Sequence, residues 1–172
     1  MNYDFTFVVD ADPHAEDFED RFIEAGCDDA TFLLMRGAAA VSFDREADSY
    51  KDAVFSAYRQ ITAAGARILR FEPDFLVSLT DIAERSGLTK AAVSLYIKGE
   101  RRDGFPAPYA RVQSSSPLWD WVAVSKWLVE HKGLPESAYR EAVISRIINA
   151  GAQINQVEQA PVFDIEAALV VA

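Results

Sequence analysis

A two-part α+β fold is what this sequence predicts, and three observations predict it. Over residues 1–74, short apolar runs of strand character and two helical stretches follow the order strand, helix, strand, strand, helix, strand. A pair of short helices then brackets Gly87, and a proline-broken hairpin behind it leads into a tryptophan-bearing helix. A further apolar helix and tail end the 172 residues, half of which are apolar, enough to fill a core.

The elements of the first part follow from local pattern. Residues 5–9 read as a buried strand, and 15–26 as a helix with Phe18, Phe22, Ile23 and Ala25 on its apolar side. The runs 31–35 and 40–44 flank Arg36-Gly37, an apolar strand and an alternating strand joined as a hairpin. Residues 49–64 form a second helix with Ala53, Val54, Ala57, Tyr58 and Ile61 inward, Gly65 ends it, and 67–71 is the last strand before Pro73. That order is the one of the split βαβ, or ferredoxin-like, sandwich, which puts four antiparallel strands under two helices. Such a fold hosts unrelated functions and predicts no activity by itself. Beside a part that carries the function it would dimerise, bind a regulatory ligand or protein, or prop its neighbour.

The stretch 79–99 carries the functional signal. Thr80 is placed to cap a first helix, with Asp81 in its first turn where the helix dipole favours negative charge. Ile82 and Ala83 face inward, and Ala83 is small where a second helix must pass closely. Gly87 supplies the positive φ that reverses the chain, at a turn expected to have no room for a side chain, and Leu88 plugs it. Thr89 caps the second helix, Val93, Tyr96 and Ile97 line its inner face, and Gly99 stops it. Thr89, Lys90, Ala91, Ser94, Leu95 and Lys98 remain on the outer face. A helical hairpin buried in a core would share the pattern; a helix-turn-helix fits it in full.

Residues 105–112 read as an extended arm broken by Pro106 and Pro108, 113–116 as a polar tip, and 117–121 as the returning arm. Trp121, Val124, Trp127 and Leu128 then recur at helical spacing. The block 79–131 thus resembles the winged helix-turn-helix domains of the MerR and prophage-excisionase-like regulators. It shares their motif helices, a Phe-Pro-x-Pro entry to the wing and an aromatic exit into a helix containing Trp and Leu. The resemblance implies that Lys90, Ser94 and Lys98 face a DNA major groove, and that Arg101, Arg102 and Arg111 lie near phosphates. Ala91 and Leu95 stand where base-reading proteins often place Arg, Asn or Gln, which implies modest sequence specificity, or readout through DNA shape and dimer spacing.

Charge is distributed to match. The net charge of −10 opposes nucleic-acid binding, yet residues 75–112 hold 6 bases against 4 acids. Residues 1–74 hold 16 acids against 7 bases, and 113–172 hold 7 against 4. No run of apolar residues reaches the length of a membrane span, and the first residues lack the order of a signal peptide, so a cytoplasmic protein is expected.

Chemistry has little to draw on. His14 and His131 are far apart, no nucleophile stands beside a base, and no glycine-rich phosphate loop is present, so no enzyme, no catalytic residue and no cofactor is expected. Asp10, Asp12, His14, Glu16 and Asp17 crowd one loop without a metal-ligand spacing, and turn formation and helix-dipole pairing account for them. Asp44, Glu46, Asp48 and Asp52 read the same way, and Cys27, alone, as a small packed residue. No metal is expected.

Beyond Gly133 a helix runs to about residue 154, with Tyr139, Val143 and Ile147, then Ile144 and Ile148, as an apolar stripe. It and the tail 162–172 are expected to dock on the sandwich or on a second subunit. The expected parts are thus 1–74, 75–133 and 134–172. The expected function is a DNA-binding transcriptional regulator, a homodimer on double-stranded DNA. A protein-interaction module with a basic partner for its acidic first part, or an excisionase-like DNA-architectural protein, is the alternative.

Overall fold

The computed structural model describes residues 1–158 and 160–171. It is a mixed α+β structure that divides into two compact units, Met1–Pro73 with Ile147–Ala172, and Asp74–Arg146. The long helix expected to belong with the tail in a third part is instead shared by the two units.

In the first unit the elements are β1 (Asn2–Asp10), α1 (Phe18–Glu24), β2 (Ala30–Met35), β3 (Ala38–Glu46), α2 (Tyr50–Ala63) and β4 (Arg67–Glu72). The strands form one antiparallel sheet in the order β2-β3-β1-β4. Arg36 and Gly37, both at positive φ, make the two-residue turn between β2 and β3, whose twist matches that of the strands. Helix α1 is shorter than expected: turns at Ala15 and Phe18, closed by the carbonyls of Asp12 and Ala15, occupy its expected start.

One face of the sheet carries the core. Phe5, Phe7, Phe43 and Phe71 meet there at centroid distances of 4.9–6.3 Å, under Ala53, Val54, Ala57 and Ile61 of α2. Phe18 and Phe22 of α1 close on Phe32. Arg45 is buried on this face and fully engaged: Nε and Nη2 donate to the Asp29 carboxylate at 2.7 and 2.6 Å, and Nη1 donates to Ser56 Oγ at 2.9 Å. Its guanidinium lies 4.6 Å from the centroid of the Phe43 ring. A buried charge persists only when paired and hydrogen-bonded in this way.

Helix α6 (Glu136–Asn155) supplies the second half of its length to this unit, and α7 (Ile165–Val171) closes the chain. The expected stripe on α6 is offset: Ile144 and Ile148 are buried, but Tyr139, Val143 and Ile147 are half-buried, and Ala142, Ser145, Asn149, Gly151 and Ala152 take the remaining buried positions. The tail was expected to dock, and Ile165 and Leu169 are buried where α7 meets α2, with Glu166 paired to Arg59 and the Lys51 ammonium donating to the Val170 carbonyl. Val162, Phe163, Val170 and Val171 stay exposed, and Ala172 lies outside the described residues. No helix among the described residues is long and apolar enough to cross a membrane.

The second unit holds β5 (Leu76–Val77), α3 (Leu79–Ser86), α4 (Lys90–Ile97), β6 (Trp119–Asp120), α5 (Trp121–Lys132) and the first half of α6. Val77, Ile82, Ala83, Val93, Tyr96, Trp119, Trp121, Val124, Trp127 and Leu128 form its core, and Leu88, Ile97 and Phe105 pack against it.

Candidate functional site

Helix α3 begins two residues earlier than Thr80 would allow. Ser78 is its N-cap: the Asp81 N–H donates to Ser78 Oγ at 3.2 Å, and the Ser78 N–H donates to the Asp81 carboxylate at 2.7 Å. This reciprocal box satisfies two backbone donors at once, where Thr80 would have satisfied one. Burial opposes ionisation of Asp81, but the hydrogen bonds with Ser78 and the nearby Arg85 charge outweigh it and hold the carboxyl below its ordinary value.

Gly87 ends α3 at φ +67°, and the space a Cβ would need there is open. Room is therefore not what the turn lacks, contrary to the expectation; the left-handed backbone alone favours glycine. Thr89 caps α4, its Oγ1 accepting from the Ala92 N–H at 3.1 Å. Val93 and Tyr96 are buried, which turns Lys90, Ala91, Leu95 and Lys98 to solvent and leaves Ser94 half-buried.

The segment after α4 folds back on the core. Phe105 lies against Tyr96 and Trp127, and the Trp119 indole N–H donates to the Pro106 carbonyl at 3.2 Å. The Tyr109 and Ala110 N–H groups both donate to the Leu118 carbonyl, and the Leu118 N–H returns a bond to Ala110. The expected extended arm 105–112 is thus irregular, with one bridge at Ala110, because Pro106 and Pro108 have no N–H to pair. The returning arm pairs instead with β5, through Leu76 with Asp120 and Val77 with Trp119, and Trp121 already belongs to α5. At the tip, Arg111 has φ +52° and its carbonyl accepts from the Ser114 N–H.

Arg146 of α6 fastens this loop. Its guanidinium pairs with the carboxylate of Asp120, the α5 N-cap, and lies 5.1 Å from the Phe75 ring centroid and 4.9 Å from that of Tyr109.

The geometry brings some of the expected residues together and not others. Ser94 and Lys98 line a groove of about 380 Å³ with Ser78 and Thr80 at the start of α3 and Ser115 and Ser116 at the loop tip. Leu79, Ile97, Pro117 and Trp119 complete its lining and make it mainly apolar; the hydroxyls and the one ammonium are the groups there that can donate hydrogen bonds to an anionic backbone. Arg101 stands apart, its guanidinium 5.5 Å from the Tyr96 ring centroid, and Lys132, which the sequence did not single out, brings its ammonium to 4.7 Å from the same ring. Arg102 and Arg111 are exposed. Three acids share the segment: Glu84, Glu100 and Asp103 are exposed, and the Asp103 carboxylate lies beside Gly99 at the end of α4.

Of the groove's serines, Ser94 was an expected site residue, whereas Ser115 and Ser116 carried only a turn-forming signal in sequence. Among the described residues, no three His, Cys, Asp or Glu side chains converge as a metal ion would require. In the acidic loop after β1, Asp10 pairs with Arg67 and the Asp12 carboxylate accepts from the His14 N–H.

Comparison with protein-family models, with curated proteins and with solved structures finds no match to this chain.

Proposed function

We propose that the chain is a DNA-binding transcriptional regulator, with a winged helix-turn-helix as its second unit and a ferredoxin-like sandwich as its first. What carries the reading is α4: a capped helix whose inner face is buried and whose outer face presents Lys90, Ala91, Ser94, Leu95 and Lys98 beside a serine-tipped loop. A helix so presented is the size and shape that a major groove admits. In this reading Thr89 to Lys98 enter the groove, Arg101 and Arg102 meet phosphates, and Arg111 on the wing reaches the flanking backbone. Charge separation supports it: residues 74–146 hold 10 bases and 9 acids, while the rest of the chain holds 7 and 18.

A specific observation favours a second reading. Glu84, Glu100 and Asp103 interrupt the basic residues, and Leu95 is apolar and exposed, as on a surface that docks protein. Enrichment of mixed genomic duplex fragments on the native chain decides between the two. Recovery of fragments sharing a sequence, with protection of its major groove, supports the regulator; recovery of none sends the search to protein partners. Bending of the recovered fragments would mark the architectural variant of the DNA reading.

A further inference from the structure

The two edges of the four-stranded sheet are treated differently. The outer edge of β4 is closed by the chain itself: the Asn149 amide makes both backbone hydrogen bonds of Phe71, and the Gln156 amide donates to the Leu69 carbonyl. The edge formed by β2 has no such cover among the described residues. It also has none of the devices that keep edge strands from pairing, such as a charge or proline within the strand, and the sheet's one register shift lies between β1 and β4.

Apart from the exposed Thr31, its side chains are apolar on both faces. Leu33, Leu34 and Met35 are 38%, 51% and 61% exposed. Leu33 and Met35 pair across to Ala40 and Ala38 on the face away from the helices, where Val8 continues the apolar surface. Leu34 lies on the helix side and is still half exposed.

From these observations we infer that β2 is a homodimerisation edge, pairing antiparallel with β2 of a second copy to make one continuous eight-stranded sheet. The strand's ends select that occupant. Asp28 and Asp29 precede β2 and Arg36 follows it, all exposed, so antiparallel self-pairing sets Arg36 of each copy against the acidic end of the other. Asp29 is held by Arg45, which leaves Asp28 to meet the incoming arginine. A two-fold axis normal to the sheet sets one residue opposite its own copy. With Phe32 on that axis, Arg36 faces Asp28 of the second copy and Leu33 faces Thr31. The interface is isologous and closes at two copies, with no free β2 edge left over.

Sedimentation equilibrium of the full chain tests this, with circular dichroism confirming that each variant is folded. The native chain is expected to be a dimer, and Leu33→Lys to weaken it at least tenfold, the change that burying one such side chain supplies. Arg36→Asp and Asp28→Arg are each expected to weaken it, and the double variant to restore it, because the pair is rebuilt with reversed sign. These exposed positions carry the test even if Leu33→Lys fails to fold. A monomeric native chain, a folded Leu33→Lys variant that dimerises as the native chain does, or a double variant no better than the singles would overturn the proposal.

Discussion

The side-chain amide of Asn149 replaces a neighbouring strand for Phe71, accepting from its N–H at 2.8 Å and donating to its carbonyl at 2.9 Å. Asn155, six residues further along α6, does the same for Phe163, at 2.7 and 3.0 Å. Asn149 is fully buried, so Asn149→Leu strands two backbone groups away from water. We expect a loss of about 3 kcal/mol in urea unfolding, the scale of two unsatisfied buried groups. Asn155→Leu, at a partly exposed site, is expected to cost less.

Gly151 stands in the interior of α6, where alanine would ordinarily be preferred by about 1 kcal/mol. A Cβ there would fall within 3.0 Å of Phe163 Cδ1 and of two Ile165 side-chain carbons. Gly151→Ala is therefore expected to destabilise by ~1–3 kcal/mol despite the gain in helix propensity, and to speed proteolysis of the α7 segment. A stabilised variant would show that the tail does not pack as described.

The Ser78–Asp81 box gives a pH signature. Because the folded chain holds the Asp81 carboxyl below its ordinary value, its stabilisation is present above the unfolded-state value and is lost as pH falls through the folded one. Native chain and Asp81→Asn should differ by about 1 kcal/mol at neutral pH, the usual worth of a cap, and converge in acid. Denaturant midpoints measured across that range check it; a gap independent of pH would contradict it.

Burial is the main cause pushing the Cys27 thiol up to about 11, with Arg45 working against it and Asp29 and Asp28 adding to it. Thiolate is the reactive form, so iodoacetamide at mildly alkaline pH should leave folded Cys27 unmodified and alkylate it once the chain unfolds. Rapid alkylation of the folded chain would contradict the packing around it.

How far the sequence was legible depends on how local each cause is. Gly37, Gly65, Gly87 and Gly133 punctuate the chain at positive φ, and the elements between them follow from the spacing of their apolar residues. Strand β6 falls within the expected returning arm 117–121, but β5 is two residues long and the two pair across more than forty positions, so no local pattern announces β5 or the pairing. The tail read as apolar without revealing that residues 165–171 are helical, since seven residues give too little periodicity. Ser78 and Thr80 are both good caps, and only the reciprocal bond to Asp81 chooses between them. At the candidate site, the outer face of α4 was legible from period alone. The groove was not, because Ser115 and Ser116 come to line it with Ser94 and Lys98 only through the folded loop.

The most direct test of the DNA reading is fluorescence anisotropy of a labelled duplex against a salt series. It compares the native chain with the folded quadruple variant Lys90→Ala, Lys98→Ala, Arg101→Ala and Arg102→Ala. The account predicts that native binding weakens with salt, and that the variant binds less, with a logarithmic slope shallower by up to about 3 or 4 if each cation contacts a phosphate. No native binding at low salt, or equal affinity and slope for both proteins, would contradict it.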